Sequence, residues 1–302
     1  MIRRLMTLAV LLSLAGASCG DDGSAGEELP LVVVTTNLLG DVVNNVVGDL
    51  ARVEVLMPLG VDPHDFEPSS RQAALITESD LVVANGLGLE EGLEDVIDAA
   101  RGDGAVILEV ADLVDPLPFG AVADGDGDLD PHVWMDPIRM AQAARLIADR
   151  LADFDPSVDW DSGADAYAAQ LETAHERIDA LLSAVPLDRR LLVTNHEVLG
   201  YFAARYGFEV VGVVIPGGST LAEPGSEELA ALVAVIDELN IQAVFAETTE
   251  PSTLARAIAD EADHPVAVVT LHTESLGEPG SPADTLIGML EENARLIVDA
   301  LT

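Results

Sequence analysis

Two α/β lobes, each a parallel sheet flanked by helices and the pair joined by one long helix, are the fold this sequence predicts. Three observations lead there. Short β-branched runs alternate with helical stretches along most of the chain, the pattern of parallel strands covered by helices. A stretch free of Gly and Pro after Gly163 runs to Val185 and divides two such series. The 302 residues also exceed the size at which a single core usually stops growing.

Taken in order, Met1 to Cys19 carries Arg3 and Arg4, an apolar run through Leu14 and small residues before Cys19. That is the layout of a secretory leader over 1–19, too short for a flanked transmembrane helix. Cys19 is the only cysteine, so no internal disulfide can form. Its position resembles the lipid-modified cysteine of bacterial lipoproteins, with one departure: Gly16 stands where that motif places an aliphatic residue. Cleavage near Ala17 or Ser18 is the alternative. A polar tether over 20–30 follows.

The first lobe is expected over 31–155. Leu31 to Thr35, Val53 to Met57, Leu81 to Ala84 and Ala105 to Glu109 read as strands, and Leu38 to Val47 and Ile138 to Leu151 as helices. Between them the acidic, Gly-rich stretch Gly120 to Asp130 reads as a solvated loop. The linking helix falls in 156–187. Its apolar residues Leu171, Ala174, Ile178, Leu181, Leu182 and Val185 recur at three and four, and Pro186 ends it. The second lobe, 188–302, repeats the alternation with strands at Leu191 to Thr194, Val210 to Val214, Ala243 to Ala246 and Ala267 to Leu271, then a last helix, Leu286 to Leu301.

The formal charge is −40, and every one of the 14 basic residues is Arg. Such a surface repels phosphate, which excludes nucleic acid as a partner. It concentrates cations, but adaptation to a salty environment is a simpler account, so charge alone favours a cation ligand only weakly.

The chemistry lies in three of the six histidines. His64 sits in Val61-Asp62-Pro63-His64-Asp65-Phe66-Glu67-Pro68, His132 in Asp130-Pro131-His132-Val133-Trp134-Met135-Asp136-Pro137, and His196 just after the strand Leu191 to Thr194. Ligands of open parallel sheets bind at the carboxyl ends of the strands, so these imidazoles can converge there, and converging neutral imidazoles suit zinc. Proline before His64 and His132 restricts the backbone at both. Asp62, Asp65, Glu67 and Asp136 are the expected acceptors for the second imidazole N–H. His175 and His264 read as structural or surface residues.

Together with Thr194-Asn195-His196-Glu197, Tyr201, Tyr206 and Gly207, these segments resemble the three histidine motifs of the zinc- and manganese-binding solute-binding proteins of ABC transporters, over residues 31 to 301. The resemblance implies two lobes bridged by a rigid helix with a metal site between them. It also implies a fourth ligand after the last strand, usually Asp, where this sequence has Glu274. His272, two residues earlier, and Glu247 are the other candidates to complete the site, Glu247 being expected to support it from behind. An extracytoplasmic receptor follows, monomeric, carrying Zn2+ or alternatively Mn2+ to a membrane permease and, through it, the ATPase. Manganese-type relatives often have Glu at the His196 position, so the imidazole favours zinc. Zinc-type relatives carry a His-rich acidic loop, whereas Gly120 to Asp130 has no histidine.

Rival classes are a metal-binding adhesin and a metallohydrolase. Against the second, four protein ligands leave no position for water. His196-Glu197 is followed by Gly200 rather than a second His, and there is no Gly-x-Ser-x-Gly elbow or phosphate loop. No enzymatic activity is expected. An EF-hand at Asp124-Gly125-Asp126-Gly127-Asp128 fails because Leu129 stands where Gly is required.

Overall fold

Eight short strands build two sheets with the same order. In the first, β1 (Leu31–Val34), β2 (Arg52–Val55), β3 (Leu81–Ala84) and β4 (Ile107–Glu109) are parallel in the order β2-β1-β3-β4. In the second, β5 (Leu191–Thr194), β6 (Glu209–Val213), β7 (Ala243–Glu247) and β8 (Ala267–Leu271) are parallel in the order β6-β5-β7-β8. The computed structural model describes residues 29–120 and 128–302; the leader with Cys19, most of the tether and the centre of the acidic loop lie outside the described residues.

In each sheet the connections change direction at the first strand, so the carboxyl ends of the central strands open a crevice, the place where parallel sheets bind ligands. α1 (Asn37–Val47) and α6 (Gly200–Tyr206) follow the first strand of each lobe and cover one face. On the other face lie α2 (Ser70–Glu78) and α3 (Glu94–Gly102) in the first lobe, and α7 (Ser226–Glu238) and α8 (Thr253–Glu261) in the second.

Strand alternation sorts the residues accordingly. Val32 and Val34 of β1 enter the core shared by both lobes, while Leu31 and Val33 pack with Ile76 of α2 and Ile97 of α3. In the second lobe Leu192 faces the shared core, and Val193 packs with Ile236 of α7 and Ile258 of α8. The helices start where the local chemistry caps them. The Thr36 hydroxyl accepts from Leu39 N, Ser69 and Gln72 form a capping box, and Asp136 caps α4 (Pro137–Phe154) with Pro137 at its first position.

The linking helix, α5 (Asp161–Leu182), is packed along its length. It lies against α4 and α1 of the first lobe and against α9 (Leu286–Leu301) of the second. Ala164, Tyr167, Ala168, Leu171, Ala174, Ile178 and Leu182 form its buried stripe. Leu181, expected in that stripe, is 37% exposed because it is a quarter-turn away from Leu182, and the helix ends three residues before Val185. Gly163 is required by close approach: a Cβ there would sit 2.1 Å from Val46 O of α1. Each fully buried Leu or Ile of the stripe contributes about 1.5–3 kcal/mol, so the lobes share a core across this helix. No helix among the described residues is long and apolar enough to cross a membrane.

Candidate metal centre

Each lobe delivers two side chains to the crevice. In the second lobe they follow strand ends directly, His196 two residues after β5 and Glu274 three after β8. In the first lobe they come from loops stiffened by the same device. Asp62 Oδ1 accepts the His64 backbone N–H at 2.9 Å, and Asp130 Oδ1 accepts that of His132 at 2.9 Å, each across the intervening proline. Behind His132, Asn85 Nδ2 donates to Pro131 O at 2.9 Å. The buried Glu90 carboxylate in turn accepts from Asn85 N, Gly86 N and the Thr35 hydroxyl.

The four side chains meet in the interior, each offering one donor atom within 4.8 Å of the others. The imidazole centroids are 5.0 Å apart for His132 and His196, 5.7 Å for His64 and His132, and 5.6 Å for His64 and His196. His196 Nε2 is 3.2 Å from His132 Nε2 and 3.3 Å from Glu274 Oε1, and His132 Nε2 is 3.6 Å from the same oxygen. All four are at most 2% exposed, which is what a desolvated ion would see.

Two histidines are aimed by carboxylates. His132 Nδ1 donates to Asp130 Oδ1 at 2.7 Å and His196 Nδ1 to Glu247 Oε1 at 2.6 Å, which fixes both tautomers with Nε2 toward the centre. The acceptors therefore differ from those expected. Asp136 caps α4 and pairs with Arg139 and Arg205, Asp65 and Glu67 are exposed, and Asp62 holds the backbone of His64 rather than its ring. The acceptor at His132 is instead Asp130, two residues before it, a contact that depends on how the chain turns at Pro131. Glu247 sits behind His196 with its second oxygen taken by the Thr273 hydroxyl at 3.1 Å. His272 lies outside the cluster, its backbone held at both ends by Asn293 of α9. His175 meets the Tyr206 hydroxyl, and His264 the carbonyl of Ile241.

The electrostatics of the cluster suit a cation. Among the described residues, neither ring nitrogen of His64 and neither oxygen of Glu274 has a hydrogen-bond partner, although all four atoms are buried. Leaving such groups unmatched costs about 1–3 kcal/mol each, more when charged, and a cation would satisfy them together. Burial, then the neighbouring His132 and His196, push His64 down to about 2, and burial with His196 holds His132 well below its usual range. Burial would lower His196 too, but Glu247 and Glu274 outweigh it and hold that ring well above. Burial raises Glu274 and Asp130 to about 7 each. Three imidazoles and a carboxylate are a donor set that suits tetrahedral zinc.

Fold and centre together define a two-lobed α/β binding protein with its ligand crevice between the lobes. The chain belongs to the family described as "Zinc-uptake complex component A periplasmic" (ZnuA), whose model matches residues 32–300. It is 30% identical over 298 residues to the manganese-binding lipoprotein MntA of Halalkalibacterium halodurans, a match covering 97% of this chain and 96% of the relative. To the zinc-binding protein TroA of Treponema pallidum it is 29% identical over 289 residues, covering 93% and 92%. The solved periplasmic zinc-binding TroA of Treponema pallidum superposes with a TM-score of 0.83 at 29% identity, over 91% of this chain and 99% of that one. The manganese-bound periplasmic metal-binding protein of candidatus Liberibacter asiaticus gives 0.80 at 25%, over 90% and 100%. The two-lobed α/β fold and the family read from the histidine motifs both stand.

Proposed function

We propose that this protein captures one zinc ion outside the cytoplasm, on His64, His132, His196 and Glu274, and delivers it to the permease of an ABC importer and so, indirectly, to its ATPase. The carrying observation is the set of four convergent buried donors, two of which have no hydrogen-bond partner among the described residues. Four protein donors close the coordination sphere, which favours carriage over catalysis. The protein works as a monomer, tethered to the outer face of the cytoplasmic membrane through a lipid on Cys19 where that residue is processed, and free in the periplasm where cleavage falls near Ala17 or Ser18.

Manganese is the second reading, favoured by the manganese-binding relative and by the carboxylate donor. Three imidazoles are softer than that ion prefers, so zinc comes first. Titration of metal-stripped protein with each ion decides. One zinc per chain, bound more tightly than manganese, is expected. Tighter manganese binding would transfer the assignment, and unchanged zinc stoichiometry in the triple variant His64→Ala, His132→Ala, His196→Ala would remove it. Zinc uptake at low metal should fail in cells lacking the protein; an adhesin alone would leave it intact.

A further inference from the structure

The third histidine is held differently from the other two. Among the described residues no carboxylate bonds to its ring: the nearest, Glu91, lies 3.6 Å from Nδ1 with a half-exposed side chain. What fixes His64 is the Asp62 turn, and that turn is fastened from the opposite lobe. Thr220 Oγ1 donates to Asp62 Oδ2 at 2.6 Å, in a contact where both residues are buried, and Ser219 Oγ donates to Glu91 Oε1 at 2.7 Å.

Both hydroxyls belong to the loop after β6, whose base is tied to the segment carrying His196. Val214 N donates to Thr194 O at 2.9 Å and Ile215 N to Asn195 O at 2.7 Å. The loop tip presses on the first lobe closely enough that a Cβ on Gly218 would meet Phe119 Cζ at 1.9 Å, and the Phe119 ring is in turn 6.3 Å from that of His132. One loop therefore connects a ligand of the second lobe to the turn that presents His64. Glu250, also from the second lobe, crowds Asp62, and burial with the Asp62 charge raises its carboxyl.

We infer that Thr220 and Ser219 are positioning residues for His64, and that their two hydroxyl-to-carboxylate bonds across the crevice set how fast the bound ion is released. The inference rests on the cation-binding reading above. Its logic is kinetic: His132 and His196 stay aimed by their own carboxylates, so loosening the loop frees one ligand of four and opens a path to solvent on that side.

The test is zinc release into excess chelator, followed by stopped flow, for the wild type, Thr220→Val, Ser219→Ala, the double variant and Thr220→Ser. A bond to a charged group is worth about tenfold, so Thr220→Val should release zinc about tenfold faster, Ser219→Ala somewhat less because its bond is exposed, and the double variant fastest. Thr220→Ser, which keeps the hydroxyl, should restore the wild-type rate. A merely structural role would lower the melting temperature of the metal-free protein without changing release; the double variant with wild-type release rates overturns the inference. Where the double variant does not fold, Ser219→Ala, at a half-buried residue, carries the same test. A wild type that binds no zinc in the preceding titration overturns the cation reading itself, an outcome distinct from normal binding with unaltered release.

Discussion

Asp62-Pro63-His64 and Asp130-Pro131-His132 are the same three residues making the same backbone bond, 2.9 Å in both, yet they present their histidines in opposite conditions. At His132 the turn carboxylate bends back onto the ring, and the imidazole is aimed and satisfied without a metal. At His64 the second carboxylate oxygen is drawn away to Thr220, and both ring nitrogens are left without partners among the described residues. The tripeptide dictates the turn, because Asp accepts from the residue two positions on and Pro fixes the middle. What the ring meets is dictated by the neighbouring lobe.

The sharpest break in that comparison is His64→Leu against His132→Leu. Both should abolish tight zinc binding, by more than about a hundredfold, the upper end of the loss expected for residues that only support a ligand. The metal-free proteins should differ in sign. His64→Leu removes two unmatched buried nitrogens and should stabilise, by about 1–3 kcal/mol before packing losses, whereas His132→Leu leaves the buried Asp130 without its ring partner and should destabilise by a similar amount. Thermal or urea unfolding of stripped protein reads this directly; equal shifts would mean that the two turns are equivalent.

Asp130→Ala against Asp62→Ala comes next. Asp130 holds both the backbone and the ring of its histidine, and its other oxygen is wedged where a Cβ on Gly200 would stand 2.6 Å away. Its loss should weaken zinc about 10–100-fold. Asp62→Ala should weaken equilibrium binding less, since no ring bond is broken. Competition titration against a chelator of known strength ranks them, and the reverse order would refute the distinction.

Proton count separates the rings a third way. His196 Nδ1 donates to Glu247, which with Glu274 holds the ring well above its usual range, so near neutral pH the metal-free protein keeps a proton on Nε2, 3.2 Å from the bare Nε2 of His132. His64 and His132 are held low and carry no such proton. Zinc must displace the His196 proton and part of one on Glu274, which burial raises to about 7. Binding therefore weakens as pH falls, by about tenfold per pH unit for each proton displaced. Calorimetry in two buffers of different ionisation enthalpy should count one to two protons near pH 7. A count of three or more would put His64 and His132 on the same footing as His196.

Much of this was legible in the sequence. Strand and helix order follows from β-branched runs and period, and the end of β5 places His196, whereas Glu274, three residues after β8, follows from the family resemblance. The Pro-His pairs announce stiffened turns. What could not be read is which acid serves which ring. Asp62, Asp65, Glu67 and Asp130 are alike as local neighbours, and only Asp130 turns onto an imidazole, while Glu247, 51 residues from His196, reaches it because β7 lies beside β5. Thr220 carries no local signal at all, because its partner is 158 residues away on the other lobe.

The smallest effect is expected at the prolines themselves, and it tests whether tertiary anchoring or the tripeptide holds each turn. Replacing Pro by Ala at a compatible position raises unfolded-state entropy and costs about 0.4–1 kcal/mol, roughly a two- to fivefold change in any equilibrium that depends on the ordered turn. That stability cost should be the same at Pro63 and Pro131. Their effects on zinc should not be. Pro131 O is anchored by the side chain of Asn85, whose backbone N–H is held by Glu90, so Pro131→Ala should bind zinc nearly as the wild type does. No side chain donates to Pro63 O among the described residues, so Pro63→Ala must reorder the turn on binding and should lose about two- to fivefold in affinity. The pair Pro63→Ala and Thr220→Val should then couple in a double-mutant cycle, since both loosen one turn, whereas Pro131→Ala and Thr220→Val should add. Additivity in both pairs would show that the opposite lobe does not hold the Asp62 turn.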